Sequence, residues 1–249
     1  MFSTIRKSRK ITPAMPLARQ SGRWVGEKML KFRCLVLDHD DTVVQTEKEI
    51  GYPYFRDFIE KVRPGQTISY PEYVKDCNNM VFADMCRQRW QFTEEELAEE
   101  YQGWKAYALS HVPPIFPGID RVIRRQREEG GIVAVSSLSS RDNIRRDYEH
   151  NLGLQPDAVY DYDLPLHQRK PQPYALLDLM EKYHLMPEDI LVLDDMKLAW
   201  MMANPLGVKI AFAGWGKREF PELAEEMKNL CDYSFDTPQA LEAFLFEEV

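Results

Sequence analysis

The sequence predicts an α/β protein, a parallel sheet flanked by helices and interrupted once by a helical insertion. Three observations predict it. Short apolar runs recur along the chain, segments of helical pattern separate them, and the stretch from 46 to 113 breaks this alternation.

The first run, Phe32 to Leu37, stops abruptly at Asp38. The stretch that follows is rich in aromatic residues, methionine and acids, and reads as helices over Tyr52–Lys61, Tyr70–Trp90 and Thr93–Ser110. Thr93 and Glu96 have the spacing of a capping box. Pro113-Pro114 and Pro117-Gly118 punctuate the return to the alternating pattern. An insertion of this length at a strand end typically covers a site. Beyond it a helix over Ile119–Glu129, stopped by Gly130-Gly131, leads into the run Ile132 to Val135, which ends in Ser136-Ser137. A helix over about Arg141–Asn151 precedes a weaker run, Ala158 to Tyr162. A further helix over Pro173–Tyr183 precedes Ile190 to Leu193, which ends in Asp194-Asp195. The last run, Val208 to Ala213, ends at Gly214 and is followed by a helix over Pro221–Leu230.

The 249 residues suffice for one large α/β domain, or a core with a smaller appended one. The net charge of −8 is unevenly spread. Residues 1–28 carry seven basic side chains against one acid, which leaves −14 on the remainder. A body so acidic repels nucleic acid and anionic membrane, so neither is expected as a partner. No stretch approaches the length of a transmembrane helix. The basic leader lacks the apolar core of a secretory signal. Its composition also suits a transit peptide, but we read it as a disordered extension to a domain that starts at Met29. The expected organisation is a leader over 1–28, a core over 29–45 and 114–249, and an inserted module over 46–113. The four cysteines show no metal-binding or CxxC spacing, and reduced thiols in a cytoplasmic protein are expected.

In open parallel sheets, ligands bind beyond the carboxyl ends of the strands. Asp38, Ser136, Asp194 and Asp195 all fall at such ends and are expected to share one crevice. The segment Leu35-Val36-Leu37-Asp38-His39-Asp40-Asp41-Thr42 is the most informative. A strand-end carboxylate such as Asp38 can attack phosphorus when its charge is screened and its geometry fixed. A second one, Asp40, can protonate the leaving oxygen and then deprotonate water. Thr42 can brace the loop by hydrogen bonds. Taken alone, the segment also suits a solvated acidic turn.

Asp38-x-Asp40-x-Thr42 after an apolar strand resembles the first motif of the haloacid dehalogenase superfamily, and further motifs follow in order from about Met29 to the end. Ser136 is similar to the second-motif residue that hydrogen-bonds the transferring phosphoryl group, with Ser137 beside it as a further substrate contact. Lys170, in Lys170-Pro171-Gln172-Pro173, resembles the third-motif lysine that neutralises nucleophile and phosphoryl oxygens. Leu191-Val192-Leu193-Asp194-Asp195 resembles the fourth motif, whose acids hold Mg²⁺. Counted back from Gly207-Val208, Asp195 takes the metal-binding place. Asp194 stands where glycine is usual, and Ala199 where a second acid often stands. Asp194 then either compensates at the metal or serves as a solvated or helix-capping acid. Gly214-Trp215-Gly216 and the Asp232–Leu241 segment resemble phosphoglycolate phosphatase-like members.

The resemblance implies a Rossmann-like core with a helical C1-type cap. It also implies a Mg²⁺-dependent phosphatase that works on a small phosphorylated metabolite through an aspartyl-phosphate. Asp38, Asp40, Ser136 and Lys170 would be catalytic, Thr42 and Ser137 substrate-binding. Asp38, Asp40 (through its carbonyl), Asp194 and Asp195 would hold the metal. Dehalogenases resemble DxYxT instead. A receiver domain would place its phosphoacceptor later in the chain and carry no such cap. A phosphomutase shares all four motifs, and a non-catalytic phosphate- or partner-binding protein is the alternative of a different class. No side-chain role is expected of His39. The cap residues Met80, Phe82, Met85 and Trp90 are expected to pack its interior.

Overall fold

The structure, a computed structural model, describes residues 30–247; the basic leader over 1–28 lies outside them. Six parallel strands form one sheet in the order β3-β2-β1-β4-β5-β6. They are β1 (Cys34–Leu37), β2 (Ile132–Ser136), β3 (Ala158–Tyr160), β4 (Ile190–Asp194), β5 (Lys209–Ala213) and β6 (Tyr233–Phe235). The last was not apparent in the sequence. It is a three-residue edge strand paired to β5, with Ser234 exposed between half-buried Tyr233 and Phe235.

β1 and β4 are apolar without alternation because both of their faces are covered. On one face Leu35, Leu37, Leu191 and Leu193 pack against α5 (Ile119–Glu128), α6 (Arg141–Leu152) and α10 (Pro238–Phe246). On the other, Cys34, Val36 and Val192 pack against α7 (Tyr174–Tyr183) and α8 (Lys197–Ala203). Each fully buried aliphatic side chain of this kind contributes about 1.5–3 kcal/mol. Leu37 lies level with Val135 on one side and Leu193 on the other, so the central strands end together. Ala199 lies within this apolar core, fully buried on α8.

The insertion forms its own helical layer: α1 (Tyr52–Val62), α2 (Tyr70–Asn79), α3 (Phe82–Trp90) and α4 (Glu94–Leu109), joined to the core through a π-helical turn over Glu47–Gly51. Phe55, Ile59, Met85 and Trp90 build a separate apolar cluster there, as expected for Met85 and Trp90. The single helix expected over Tyr70–Trp90 is two helices. Its break falls at Met80 and Val81, both extended, where the Asn79 side chain donates to the Lys75 carbonyl and closes α2. The Thr93–Glu96 capping box is formed in both directions, at 3.2 and 2.9 Å. The chain entering the insertion lies beside the chain leaving it. Val44 pairs antiparallel with Ile115, and flanking backbone bonds join Gln45 to Pro114 and Phe116 to Val43. No helix among the described residues is long and apolar enough to cross a membrane.

Candidate active site

The loop after β1 is set by local chemistry. The Asp38 amide donates to the Leu193 carbonyl at 2.9 Å, which pins the end of β1 against β4. Two residues on, the chain folds back: the amides of Val43 and Val44 both donate to the His39 carbonyl. Asp41 takes the left-handed conformation, φ 53°, that a short polar side chain tolerates best after glycine. Its Oδ1 accepts the amides of Thr46 and Glu47, so the acid that closes the loop also anchors the first turn of the cap. His39 points away from the crevice. Its Nε2 bonds Asp147 Oδ2 of α6 at 3.0 Å and its ring stacks on Tyr148, a bracing role for a side chain of which the sequence led us to expect none. Burial lowers the affinity of its ring for a proton, but Asp147 and the loop acids outweigh this and raise its pKa.

At the carboxyl ends of β1 and β4, carboxylate oxygens of Asp38, Asp194 and Asp195 lie within 4.8 Å of one another. The Asp40 carboxylate is not part of this group but lines the same crevice. Lys170 is buried with its Nζ 3.0 Å from Asp38 Oδ1 and 2.6 Å from Asp194 Oδ2. Asp194 Oδ1 accepts the Met196 amide at the start of α8. Asp194 is therefore a member of the cluster and braces the turn that leads into α8, without capping the helix itself. Thr42, fully buried, donates to Asp195 Oδ1 at 3.3 Å, so its hydroxyl serves the cluster rather than the open crevice. The Ser136 hydroxyl is buried too and donates to Met202 Sδ at 3.6 Å, whereas Ser137 lines the crevice.

Lys217 was not apparent in the sequence. It lies in the 3₁₀ turn Gly214–Lys217 after β5, and its buried ammonium pairs with Asp195 and lies 3.5 Å from Asp41. A lysine in a loop normally marks solvent, and nothing in the spacing of Gly214-Trp215-Gly216-Lys217 shows that it turns inward. The turn is held by Trp215 Nε1 donating to the Thr42 carbonyl at 3.0 Å. Gly216 is required there, since a Cβ would lie 2.1 Å from the Asp41 carbonyl oxygen.

Four buried carboxylates, those of Asp38, Asp41, Asp194 and Asp195, thus face two buried ammoniums, those of Lys170 and Lys217. That leaves a surplus of two negative charges. Burial raises the pKa of Asp38 and Asp194 despite Lys170, and raises Asp41 to about 6 despite Lys217. Burial would lower both lysines, but their carboxylate partners hold them above the usual range. Carboxylates are hard oxygen donors, and a divalent cation is the group that cancels such a surplus. The residues present fit one.

The crevice continues between core and cap as a cavity of about 140 Å³. Asp38, Asp40, Ser137, Lys170 and Asp195 line its floor, and cap residues including Glu47, Glu100, Met80 and Phe82 its walls. Met80 and Phe82 therefore border the cavity as well as packing beside the cap interior. Glu100 projects from the middle of α4, 6% exposed, and burial alone pushes its pKa to about 8. Burial, reinforced by Asp41 and Asp40, likewise pushes Glu47 to about 8. The raised Glu100 binds its proton more tightly folded than unfolded. Folding stability therefore falls as pH rises from about 4.5 to about 8 and stays reduced above that. Glu100→Gln is expected to match the wild type near pH 4.5 and to exceed it by on the order of a few kcal/mol above pH 8. Thermal melts across that range check this; a difference independent of pH would contradict it.

A model of the haloacid dehalogenase-like hydrolase family matches residues 35–213. No curated protein matches the chain. Among solved structures, CbbY from Rhodobacter sphaeroides, in complex with phosphate, is 16% identical with a TM-score of 0.66, covering 84% of this chain and 96% of that one. A predicted phosphoglycolate phosphatase from Haemophilus somnus 129pt is 16% identical with a TM-score of 0.67, covering 87% and 99%. A conserved haloacid dehalogenase-like protein of unknown function from Agrobacterium tumefaciens is 16% identical with a TM-score of 0.69, covering 86% and 97%.

Proposed function

The chain belongs to the haloacid dehalogenase-like hydrolase family, and from that premise we propose that it is a magnesium-dependent phosphatase acting on a small phosphorylated metabolite. One observation carries the reading. The Asp38 carboxylate stands at the end of the central strand, paired to a buried lysine, and opens onto the same cavity as Asp40.

In this reading Asp38 attacks phosphorus in line, forming an aspartyl-phosphate as the bond to the leaving oxygen breaks. Asp40 gives that oxygen a proton, then takes one from the water that releases inorganic phosphate and regenerates Asp38. Lys170, held against Asp38 and Asp194, compensates the charge on the phosphoryl oxygens, with Ser137 a hydroxyl donor from the cavity floor. Ser136 would have to turn from Met202 to take part. Asp38, Asp194 and Asp195 would hold Mg²⁺, which when bound supplies charge stabilisation to the transferring group. Thr42 and Lys217 fix the Asp195 carboxylate. The helical layer shields the cavity from bulk water. The four cysteines are all unbridged, which suits the cytoplasm as the proposed location.

Release of inorganic phosphate from p-nitrophenyl phosphate, with and without Mg²⁺, tests the reading; no metal-dependent release would reject it. Gly216→Ala forces the Asp41 carbonyl aside and with it the loop bearing Asp38 and Asp40. Turnover should fall by about a hundredfold, as expected for a displacement near 1 Å of catalytic groups. Steady-state kinetics on the folded variant decide it, and a wild-type rate would show that the loop absorbs the methyl group.

A further inference from the structure

The cap end of the cavity carries a charge pattern that the chemistry at Asp38 does not use. Glu100 is more than nine-tenths buried and borders the cavity, and among the described residues no hydrogen bond or ion pair reaches its carboxylate. Glu47 is the second acid on this wall. Its Oε2 is buried without a hydrogen-bond partner, and the Tyr73 hydroxyl alone eases the carboxylate by hydrogen bonding from a side chain. Lys170 is the one basic residue lining the cavity among the described residues, and it is engaged at the floor by Asp38 and Asp194. Around Glu100 stand aromatic rings. Tyr54 lies across α4 with its hydroxyl on the Glu100 carbonyl at 2.8 Å, and its ring centroid is 5.7 Å from that of Trp104. Gly103 makes room for it, since a Cβ there would lie 2.2 Å from the Tyr54 hydroxyl oxygen. Tyr101 and Tyr162 pair at 4.5 Å on the same wall.

Buried carboxylates outside any ion pair, set among aromatic faces, are complementary to an organic ammonium group. An ammonium held against Glu100 draws that acid into its ionised form and pairs with it, and the rings replace its water. An anionic group at this end would meet two acids and no base in the lining, since Lys217, which acts on Glu47 from outside the cavity, is held by Asp195 and Asp41. The geometry points to a substrate whose leaving alcohol carries an ammonium: a phosphate monoester of an amino alcohol, with phosphate on the Asp38 floor and ammonium against Glu100. This assignment rests on the phosphatase reading for the role of the floor, but the recognition of an ammonium at the wall is a separate property of the cap.

The experiment uses the full chain loaded with Mg²⁺ and a series of ω-aminoalkyl phosphates of two to five carbons, each with its ω-hydroxy and ω-carboxy counterpart. At the best chain length the amino ester should exceed the hydroxy ester in kcat/KM by at least about tenfold, the worth of one desolvated cation–π and ion-pair contact, and the carboxy ester should be the poorest. Glu100→Gln should bring the amino-to-hydroxy ratio close to one. Equal rates for amino and hydroxy esters at every length, or an undiminished ratio in Glu100→Gln, would overturn the inference while p-nitrophenyl phosphate turnover still upheld the phosphatase reading. Should no ester be hydrolysed, p-nitrophenyl phosphate included, that reading fails and calorimetric binding of the same series decides the pocket. Tighter binding of the amino ester in wild type but not in Glu100→Gln sustains the inference, and equal binding overturns it.

Discussion

Asp38→Asn is expected to abolish turnover, by at least about a thousandfold, the scale on which loss of a covalent nucleophile is felt. The amide cannot form the acyl phosphate, and no second carboxylate takes its place. Asp194 is committed to Lys170 and the Met196 amide, and Asp195 to Thr42 and Lys217. The change is isosteric and leaves Lys170 paired with Asp194, so the fold should survive and the comparison be clean. Phosphate release by the purified variant measures it, and Asp40→Asn is the companion. With an activated ester, whose leaving group needs little protonation, Asp40→Asn should accumulate phosphate on Asp38, detectable as a mass shift on that peptide. Turnover in Asp38→Asn within about tenfold of wild type would reassign the nucleophile.

The second large effect concerns the two ammoniums built into the acidic cluster. Removing one partner of a buried pair leaves the other uncompensated, at a cost of about 3–5 kcal/mol. Lys217→Met strips the cation from Asp195 and Asp41, so the metal-free protein should melt far below wild type. Its affinity for Mg²⁺ should rise, because the same carboxylates then have no other cation. An ion at about a hundred times its dissociation constant returns about 2.7 kcal/mol. The rise in Tm on adding Mg²⁺ should therefore be larger in Lys217→Met than in wild type, and nearly absent in Asp195→Asn. A wild-type response in Asp195→Asn would remove that residue from the metal site. These melts need no turnover, so they stand apart from any assay of activity.

The sheet was legible because its strands are buried on both faces. Leu35 to Leu37 and Ile190 to Leu193 have no choice but to be continuously apolar, and the acids that end them stand out for the same reason. The pairing of Lys170 with the β1 and β4 acids follows a motif whose spacing is visible. What the sequence hid is of three kinds. The split of the expected Tyr70–Trp90 helix turns on Met80 and Val81, residues with no breaking signal of their own. The inward turn of Lys217 depends on Trp215 and Gly216 meeting the loop after β1, far back in the chain, a contact with no local signature. The direction of the Ser136 hydroxyl and the core position of Ala199 are matters of which face a residue takes. Motif counting fixes a place in the chain but not that face. Glu100 was hidden for a related reason: among the acids of α4 nothing in composition separates the one that is buried.

The paired strands at the base of the cap bear on how the chain reaches this fold. β1 lies at the centre of the sheet, and its neighbour β2 begins only after the whole insertion, so that contact closes a long loop at an entropic cost. The Val44–Ile115 bridge, with its bonds from Gln45 to Pro114 and from Phe116 to Val43, shortens the effective path between them. Once the helical layer has formed around its own apolar cluster and drawn those two segments together, β1 and β2 are separated only by a few residues and α5. The insertion would then act as a staple for one of the long-range pairings of β1, and loosening its interior should slow the assembly of the core as well as the closing of the cavity.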